Sequence, residues 1–334
     1  MNRRTFLIAA AGSTVRGRAA AKSRMGIAVT CYMSFARPKD TLAFLEHANE
    51  LGAAGIQMPL STKDEAYARR VRERAAQLGM YFEAIGSLPA ADDAGAFERS
   101  VAAAKEADAL CIRVNCLPGR RYENFTSLAE WREAVSRAHA AIDKAVPIVE
   151  KHELPLAIEN HKDFTADEMA ALMREKRHAL LGVCLDTGNN ISLLDDPMAV
   201  VETLAPYAIT THVKDMGVQP YADGFLLSEM PLGQGMLDMR RIVDTIHAAR
   251  PQARLTLEMI TRDPLKVPCL TDGYWATFPE RSGRYLAQTL LLVRQSAAAK
   301  PLPVVSGLPH EAQLRVEEDN VTACLAYGRE HLGL

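Results

Sequence analysis

From residue 25 onward, short apolar runs alternate with longer stretches in which apolar positions recur every three or four residues. The short runs lie at 25–31, 55–60, 81–86, 109–114, 155–159, 181–186, 208–214 and 253–259, and they read as eight buried strands. The stretches between them carry helical periodicity, and several end at Gly, as in Leu51-Gly52 and Leu78-Gly79, where the left-handed conformation stops a helix. Eight strand–helix units in series predict an α/β protein, a closed (β/α)8 TIM barrel over residues 25–296 with 281–296 as the helix after the last strand. Residues 297–334 begin Pro-rich and then give one amphipathic helix at 311–332. That C-terminal helical extension is expected to pack on the barrel exterior or on a second copy, so a homo-oligomer is open. No internal repeat or composition break interrupts the barrel.

Barrel enzymes place their chemistry at the C-terminal ends of the strands. Strand five ends in Glu159, strand six in Asp186, strand seven reaches His212, and strand eight reaches Glu258. Four consecutive strands thus send three carboxylates and an imidazole to one mouth. Carboxylates that close repel one another unless a cation lies between them. The set therefore predicts one divalent metal ion, Mn²⁺ or Mg²⁺ first, with Co²⁺ or Zn²⁺ as alternatives.

Strand parity adds neighbours. Lys214 shares the inward direction of His212 and is a candidate for a substrate carboxylate or hydroxyl. His161 and Lys162 stand just beyond Glu159. Glu83, in mid-strand, is either a site acid or an ion-pair partner of Arg113. Arg113 and Asn115 end strand four. In the aromatic segment 271–279, Tyr274 and Trp275 are candidates to cover the site. Gly233-Gln234-Gly235 is too short a glycine pattern to define a phosphate cradle.

The composition is that of an ordinary globular chain: 334 residues, 48% hydrophobic, 24% charged, net charge −2. Its Lys and Arg are spread evenly, so no basic stripe for nucleic acid is present, and the expected partner is a small molecule. The six cysteines form no CxxC pair. Cys31, Cys111 and Cys184 lie in apolar runs and read as small hydrophobes, with a Cys111–Cys116 disulfide as the alternative. Residues 1–21 pair Arg3-Arg4 with Phe6-Leu7, a short apolar run and Ala19-Ala20-Ala21. This pattern resembles a twin-arginine export signal and predicts a periplasmic protein; if it is an uncleaved basic arm, the protein is cytoplasmic. No run reaches the length of a membrane span.

The segments Ile158-Glu159-Asn160, Leu185 to Asn189 (LDTGN), His212 to Asp215 (HVKD), Pro231 to Gly235 (PLGQG) and Leu257-Glu258-Met259 are similar to those of the xylose-isomerase-like superfamily of sugar isomerases and epimerases. The likeness spans residues 25–296. The superfamily includes ketose 3-epimerases, hydroxypyruvate isomerases, inosose and dehydroshikimate dehydratases, and AP endonucleases. The resemblance implies a metal bound by Glu159, Asp186, His212 and Glu258, with Glu159 and Glu258 also moving protons. Two positions depart from the epimerase pattern: Asn189 stands where a substrate-binding His is usual, and Val218 where an Arg is usual. The nuclease branch needs extra metal-binding histidines that the nine His of this chain do not supply.

A metal-dependent isomerase or epimerase of a small sugar, working through an enediolate, is therefore the first expectation. A lyase or decarboxylase acting on an oxidised sugar or keto sugar acid is the second, favoured by Asn189 and Lys214 and served by the same enolate. A non-catalytic periplasmic sugar-binding barrel is the contrasting class.

Overall fold

The computed structural model describes residues 22–90 and 93–334. The export-signal segment 1–21 lies outside the described residues. Eight parallel strands close into a barrel: β1 (Gly26–Ala28), β2 (Gly55–Met58), β3 (Tyr81–Ile85), β4 (Ile112–Asn115), β5 (Leu156–Glu159), β6 (Leu181–Asp186), β7 (Ala208–Val213) and, after an excursion, β10 (Arg254–Leu257). Their order around the barrel is β1-β10-β7-β6-β5-β4-β3-β2. The (β/α)8 barrel is thus present, with every expected strand in place; β6 fills its apolar run, and the other seven are shorter than theirs.

The helices that separate the strands start on side-chain caps. Thr165 and Glu168 form a reciprocal capping box on Ala166–Lys176. Asp64 caps Glu65–Leu78, which stops at Gly79 with φ +65°. Such caps satisfy N–H groups that have no partner inside the helix.

Between β7 and the helix Met239–Ala249 the chain makes a hairpin that the periodicity did not reveal. It consists of β8 (Asp215–Tyr221) and β9 (Gly224–Met230), joined by Ala222 and Asp223. A later strand, β11 (Leu265–Val267), pairs antiparallel with β9 and completes a three-stranded sheet. Gly224 is required at the turn: its φ is +151°, and a Cβ there would lie 2.2 Å from the Val267 carbonyl oxygen. A second apolar cluster forms on this sheet from Met216, Val218, Phe225, Leu227, Val267, Tyr274 and Phe278.

Segment 281–296 gives the expected helix after the last barrel strand, but that helix packs on the added sheet. The helix, Gly283–Ser296, packs on β8 and buries Val293 in the second cluster. Instead the helix of the C-terminal extension, His310–Tyr327, buries Val321, Cys324 and Leu325 in the main barrel core. It is tied to the chain after β1, where Glu317 accepts the N–H groups of Phe35 (3.1 Å) and Ala36 (2.8 Å). Glu318 accepts the Tyr32 hydroxyl at 2.9 Å and approaches His47 on the first helix at 3.2 Å. The extension is therefore part of the barrel wall. All six cysteines are free thiols. Among the described residues, no helix is long and apolar enough to cross a membrane.

Candidate metal centre

Glu159 and Asp186 are the last residues of β5 and β6, His212 lies in β7 in register with Asp186, and Glu258 directly follows β10. All four are buried, and one donor atom from each lies within 4.8 Å of the others. His212 Nδ1 is the hub, 3.5 Å from Glu159 Oε1, 3.3 Å from Glu258 Oε1 and 3.9 Å from Asp186 Oδ2.

Neighbouring hydrogen bonds aim these side chains at one another. Asp186 Oδ1 accepts the backbone N–H groups of Gly188 (2.8 Å) and Asn189 (2.7 Å), which turns Oδ2 towards the hub. Asn160 clamps the Asp186 backbone from both sides, donating to its carbonyl at 2.9 Å and accepting its N–H at 2.7 Å. His212 Nε2 lies 2.7 Å from Gln57 Oε1. Glu159 Oε2, Asp186 Oδ2 and His212 Nδ1 have no hydrogen-bond partner. Glu159 Oε2 is ion-paired to Arg113 and Asp186 Oδ2 to Lys214, and the carboxylates that converge with the imidazole form a donor set that could hold a divalent cation. Burial, reinforced by Arg113 and Lys214 against the opposing carboxylates, pulls the His212 pKa down to about 4 and keeps the ring neutral. Burial works to raise Glu258, but His212, Lys214 and Arg113 outweigh it and hold that carboxyl well below its ordinary range.

Four cations surround the cluster. Lys214 Nζ bonds Glu258 Oε2 and stands 2.9 Å from Asp186 Oδ2. Burial opposes its charge, yet Asp186, Glu258 and Glu229 hold its pKa above the ordinary lysine value. Arg113 pairs with Glu159. Lys162 Nζ bonds Asn189 Oδ1, which Lys214 also approaches at 3.5 Å, while Asn189 Nδ2 donates to Glu159 Oε1 at 3.0 Å. Burial and the fields of Lys214 and Arg262 bring Lys162 down to about 7. Arg262 grips Glu229 of β9 with Nε at 3.1 Å and with Nη2.

Lys214, Asn189, Arg113 and Lys162 thus gather at the cluster. His161 stands at its edge, partly exposed, with Nδ1 3.0 Å from the Gly119 carbonyl; its surroundings lower it to about 3, burial first and then Lys162. Three expectations are corrected. Glu83 does not reach the mouth: it lies a layer below, accepting from Gln57 (3.0 Å) and Thr256 (3.2 Å), and its expected partner Arg113 binds Glu159 instead. Trp275 is not brought to the cluster, because its indole N–H donates to the Cys269 carbonyl at 2.9 Å and its ring packs on Tyr274 and Phe278. Tyr274 is likewise a core residue of the upper sheet, with its hydroxyl on the Ser192 carbonyl at 2.8 Å. The glycines of Pro231 to Gly235 do form a cradle, but for an internal carboxylate: Asp215 accepts the N–H groups of Gly233, Gly235 and Leu237. Gln57, Glu229 and Arg262 escaped the sequence reading. An amide on an inward position of an apolar strand was the only signal for Gln57, and Glu229 depends on the unrecognised hairpin.

The fold is that of the (β/α)8 barrel class, with four converging donors near the C-terminal ends of its strands that could hold a metal ion. The chain is a member of the xylose isomerase-like TIM-barrel family, whose model matches residues 45–276. It is 28% identical over 243 residues to a 3-oxo-isoapionate decarboxylase of Pectobacterium atrosepticum, covering 69% of this chain and 82% of that protein. Among solved structures it is similar in fold to a 3-keto-D-glucoside 4-epimerase from E. coli (TM-score 0.55, 13% identity, 82% of this chain and all of the other). It is also similar to a xylose isomerase-like barrel from Mycobacterium smegmatis in complex with magnesium (TM-score 0.52, 16% identity, 80% of this chain and 98% of the other).

Proposed function

We propose that this protein is a divalent-metal-dependent decarboxylase of a keto sugar acid, with Mn²⁺ or Mg²⁺ at Glu159, Asp186, His212 and Glu258. The observation that carries the reading is the balance of buried charge. Glu159, Asp186, Glu258 and Glu229 face Arg113, Lys162, Lys214 and Arg262, so with Lys162 protonated these groups cancel without a metal. A divalent ion then leaves an excess of two positive charges in a site shielded from water, and an anionic substrate is what relieves it. The similarity to a decarboxylase of an oxidised sugar acid supports the same chemistry.

When bound, the ion supplies Lewis acidity that stabilises negative charge developing on substrate oxygens. The chain does the rest. Lys162, Lys214 and Arg262 orient the substrate carboxylate. Arg113 and Asn189 hold Glu159 in place, and Lys214 holds Glu258. The bond to the carboxylate breaks with its electron pair left on the carbon next to the carbonyl, and CO₂ departs. A proton carried by Glu159 then adds to that carbon. Burial of the whole set excludes bulk water.

A second reading, epimerisation or isomerisation of a small sugar, is favoured by one feature: two glutamates, on β5 and just after β10 with two strands between them, flank Asp186 and His212. Asn189, in place of the expected His, weighs against free ketoses. Residues 1–21 are proposed to direct export by the twin-arginine route. A product screen by ¹³C NMR in Mn²⁺ buffer, offering oxidised sugar acids beside free ketoses, tests the reading. Loss of the carboxyl carbon from an acid supports decarboxylation; conversion of ketoses alone replaces it with epimerisation.

A further inference from the structure

The ring nitrogen that His212 presents to the cluster is decided two residues away. We infer that Glu83 and Gln57 are positioning residues for the metal centre: together they fix the tautomer of His212 so that Nδ1 is a ligand. This inference rests on the metal-centre reading and adds a role for two residues that touch neither metal nor substrate.

Hydrogen-bond polarity runs along one line from Glu83 to His212. Glu83 Oε2 accepts from Gln57 Nε2 at 3.0 Å and from Thr256 Oγ1 at 3.2 Å, and Thr256 Oγ1 lies 3.0 Å from the Tyr81 hydroxyl. A carboxylate oxygen in that position only accepts. Burial favours a proton on Glu83, but Oε1 is free of these two donors and can carry it, leaving Oε2 an acceptor in either state. Gln57 must therefore turn its NH₂ to Glu83 and its carbonyl oxygen to His212. That oxygen, 2.7 Å from His212 Nε2, demands a donor there. The proton sits on Nε2, and Nδ1 faces Glu159, Asp186 and Glu258 with a lone pair.

Reversing the amide shows what Glu83 prevents. With NH₂ towards His212, Nε2 would have to accept, the proton would move to Nδ1, and an N–H would point into the carboxylates where a cation belongs. Geometry holds the line in place: Gln57 and Glu83 are register partners on β2 and β3, Thr256 and His212 on β10 and β7, and all four side chains are fully buried. Partners of this kind set ligand orientation and basicity, and losing one weakens metal binding by about 10–100-fold.

The test needs no turnover. In chelator-treated wild-type protein with ¹⁵N-labelled histidine, the His212 ring, assigned by comparison with His212→Gln, should show the Nε2-protonated tautomer. Mn²⁺ affinity, measured by competition with a chromophoric chelator, should fall about 10–100-fold in Gln57→Leu and in Glu83→Leu. It should stay within about threefold of wild type in Glu83→Gln, which keeps an acceptor oxygen. An Nδ1-protonated wild-type ring overturns the inference, as does a folded Gln57→Leu with unchanged Mn²⁺ affinity. If Gln57→Leu does not fold, the wild-type tautomer and Glu83→Gln decide. Absence of Mn²⁺ binding in the wild type would instead sink the metal-centre reading, which separates the two failures.

Discussion

Replacing Lys214 by Met separates the contribution of charge at this centre from that of packing. Lys214 Nζ lies 2.9 Å from Asp186 Oδ2 and bonds Glu258, and it is buried. At an effective dielectric constant near 20, the attraction to Asp186 alone is about 6 kcal/mol before desolvation is subtracted. Removing one partner of a buried ion pair has a net cost of about 3–5 kcal/mol, because the stranded carboxylates remain out of water. At roughly 2 °C per kcal/mol for a domain of this size, metal-free Lys214→Met should melt about 6–10 °C below the metal-free wild type. A divalent ion acts in the opposite direction. Lys214 occupies the oxygens a metal needs, so its removal frees Asp186 and Glu258 for the ion. Metal should therefore raise the melting temperature more in the variant than in the wild type, by mass action on a tighter site. Differential scanning fluorimetry with EDTA and with a Mn²⁺ titration reads both quantities. A metal-free variant melting within about 2 °C of wild type, or a metal-induced rise no larger than that of the wild type, would refute the reasoning.

Glu159→Gln keeps one oxygen for the metal but removes a proton carrier, so Mn²⁺ content by elemental analysis should survive in part while turnover drops by roughly 10²-fold or more; near-normal turnover would make Glu159 a ligand only. Lys162, at about 7 when buried against an ordinary 10.5, loses its charge as pH rises through neutrality. KM for an acid substrate should accordingly rise above pH 7 in the wild type, and Lys162→Met should have a high KM without that alkaline limb; a matching limb in the variant assigns the titration elsewhere. The same shift makes charged Lys162 a burden on the fold: the unfolded chain binds its proton more tightly, so this group's contribution to stability improves from pH 7 towards 10.5. Changing Arg3 and Arg4 to Lys should leave the protein in the cytoplasm, as fractionation would show; unchanged periplasmic recovery argues against twin-arginine export.

Much of this was legible along the chain because a parallel strand buried on both faces is an apolar run, and a polar residue closing such a run stands out. Glu159, Asp186, His212 and Glu258 all announce themselves that way. Depth along a strand is not legible: Glu83 looks like a site acid, yet it sits a layer below because the barrel's stagger, set by the register of β2 and β3, decides its level. Gln57 drew no notice because an amide has no charge to balance, although its polarity governs His212. The hairpin after β7 hid behind Lys214, where the inward-facing pattern of the barrel strand runs straight into an antiparallel one; Asp223-Gly224 was its sole turn signal. Aromatic residues misled for a physical reason. Tyr274 and Trp275 roof an apolar cluster on the added sheet, and a large ring serves a second core as readily as a substrate. The tail helix was legible as a helix, but its Val321, Cys324 and Leu325 revealed nothing of which core they join.

The central claim is metal-dependent loss of CO₂ from a keto sugar acid, and release of ¹³CO₂ from a carboxyl-labelled 3-oxo sugar acid tests it most directly. The wild-type protein should be measured after chelation and again after one equivalent of Mn²⁺ is restored. The account predicts release that disappears with the metal, returns with it, and is absent in His212→Ala under both conditions. Release that is indifferent to chelation, or a metal-loaded protein that releases no label yet interconverts free ketoses, would contradict it.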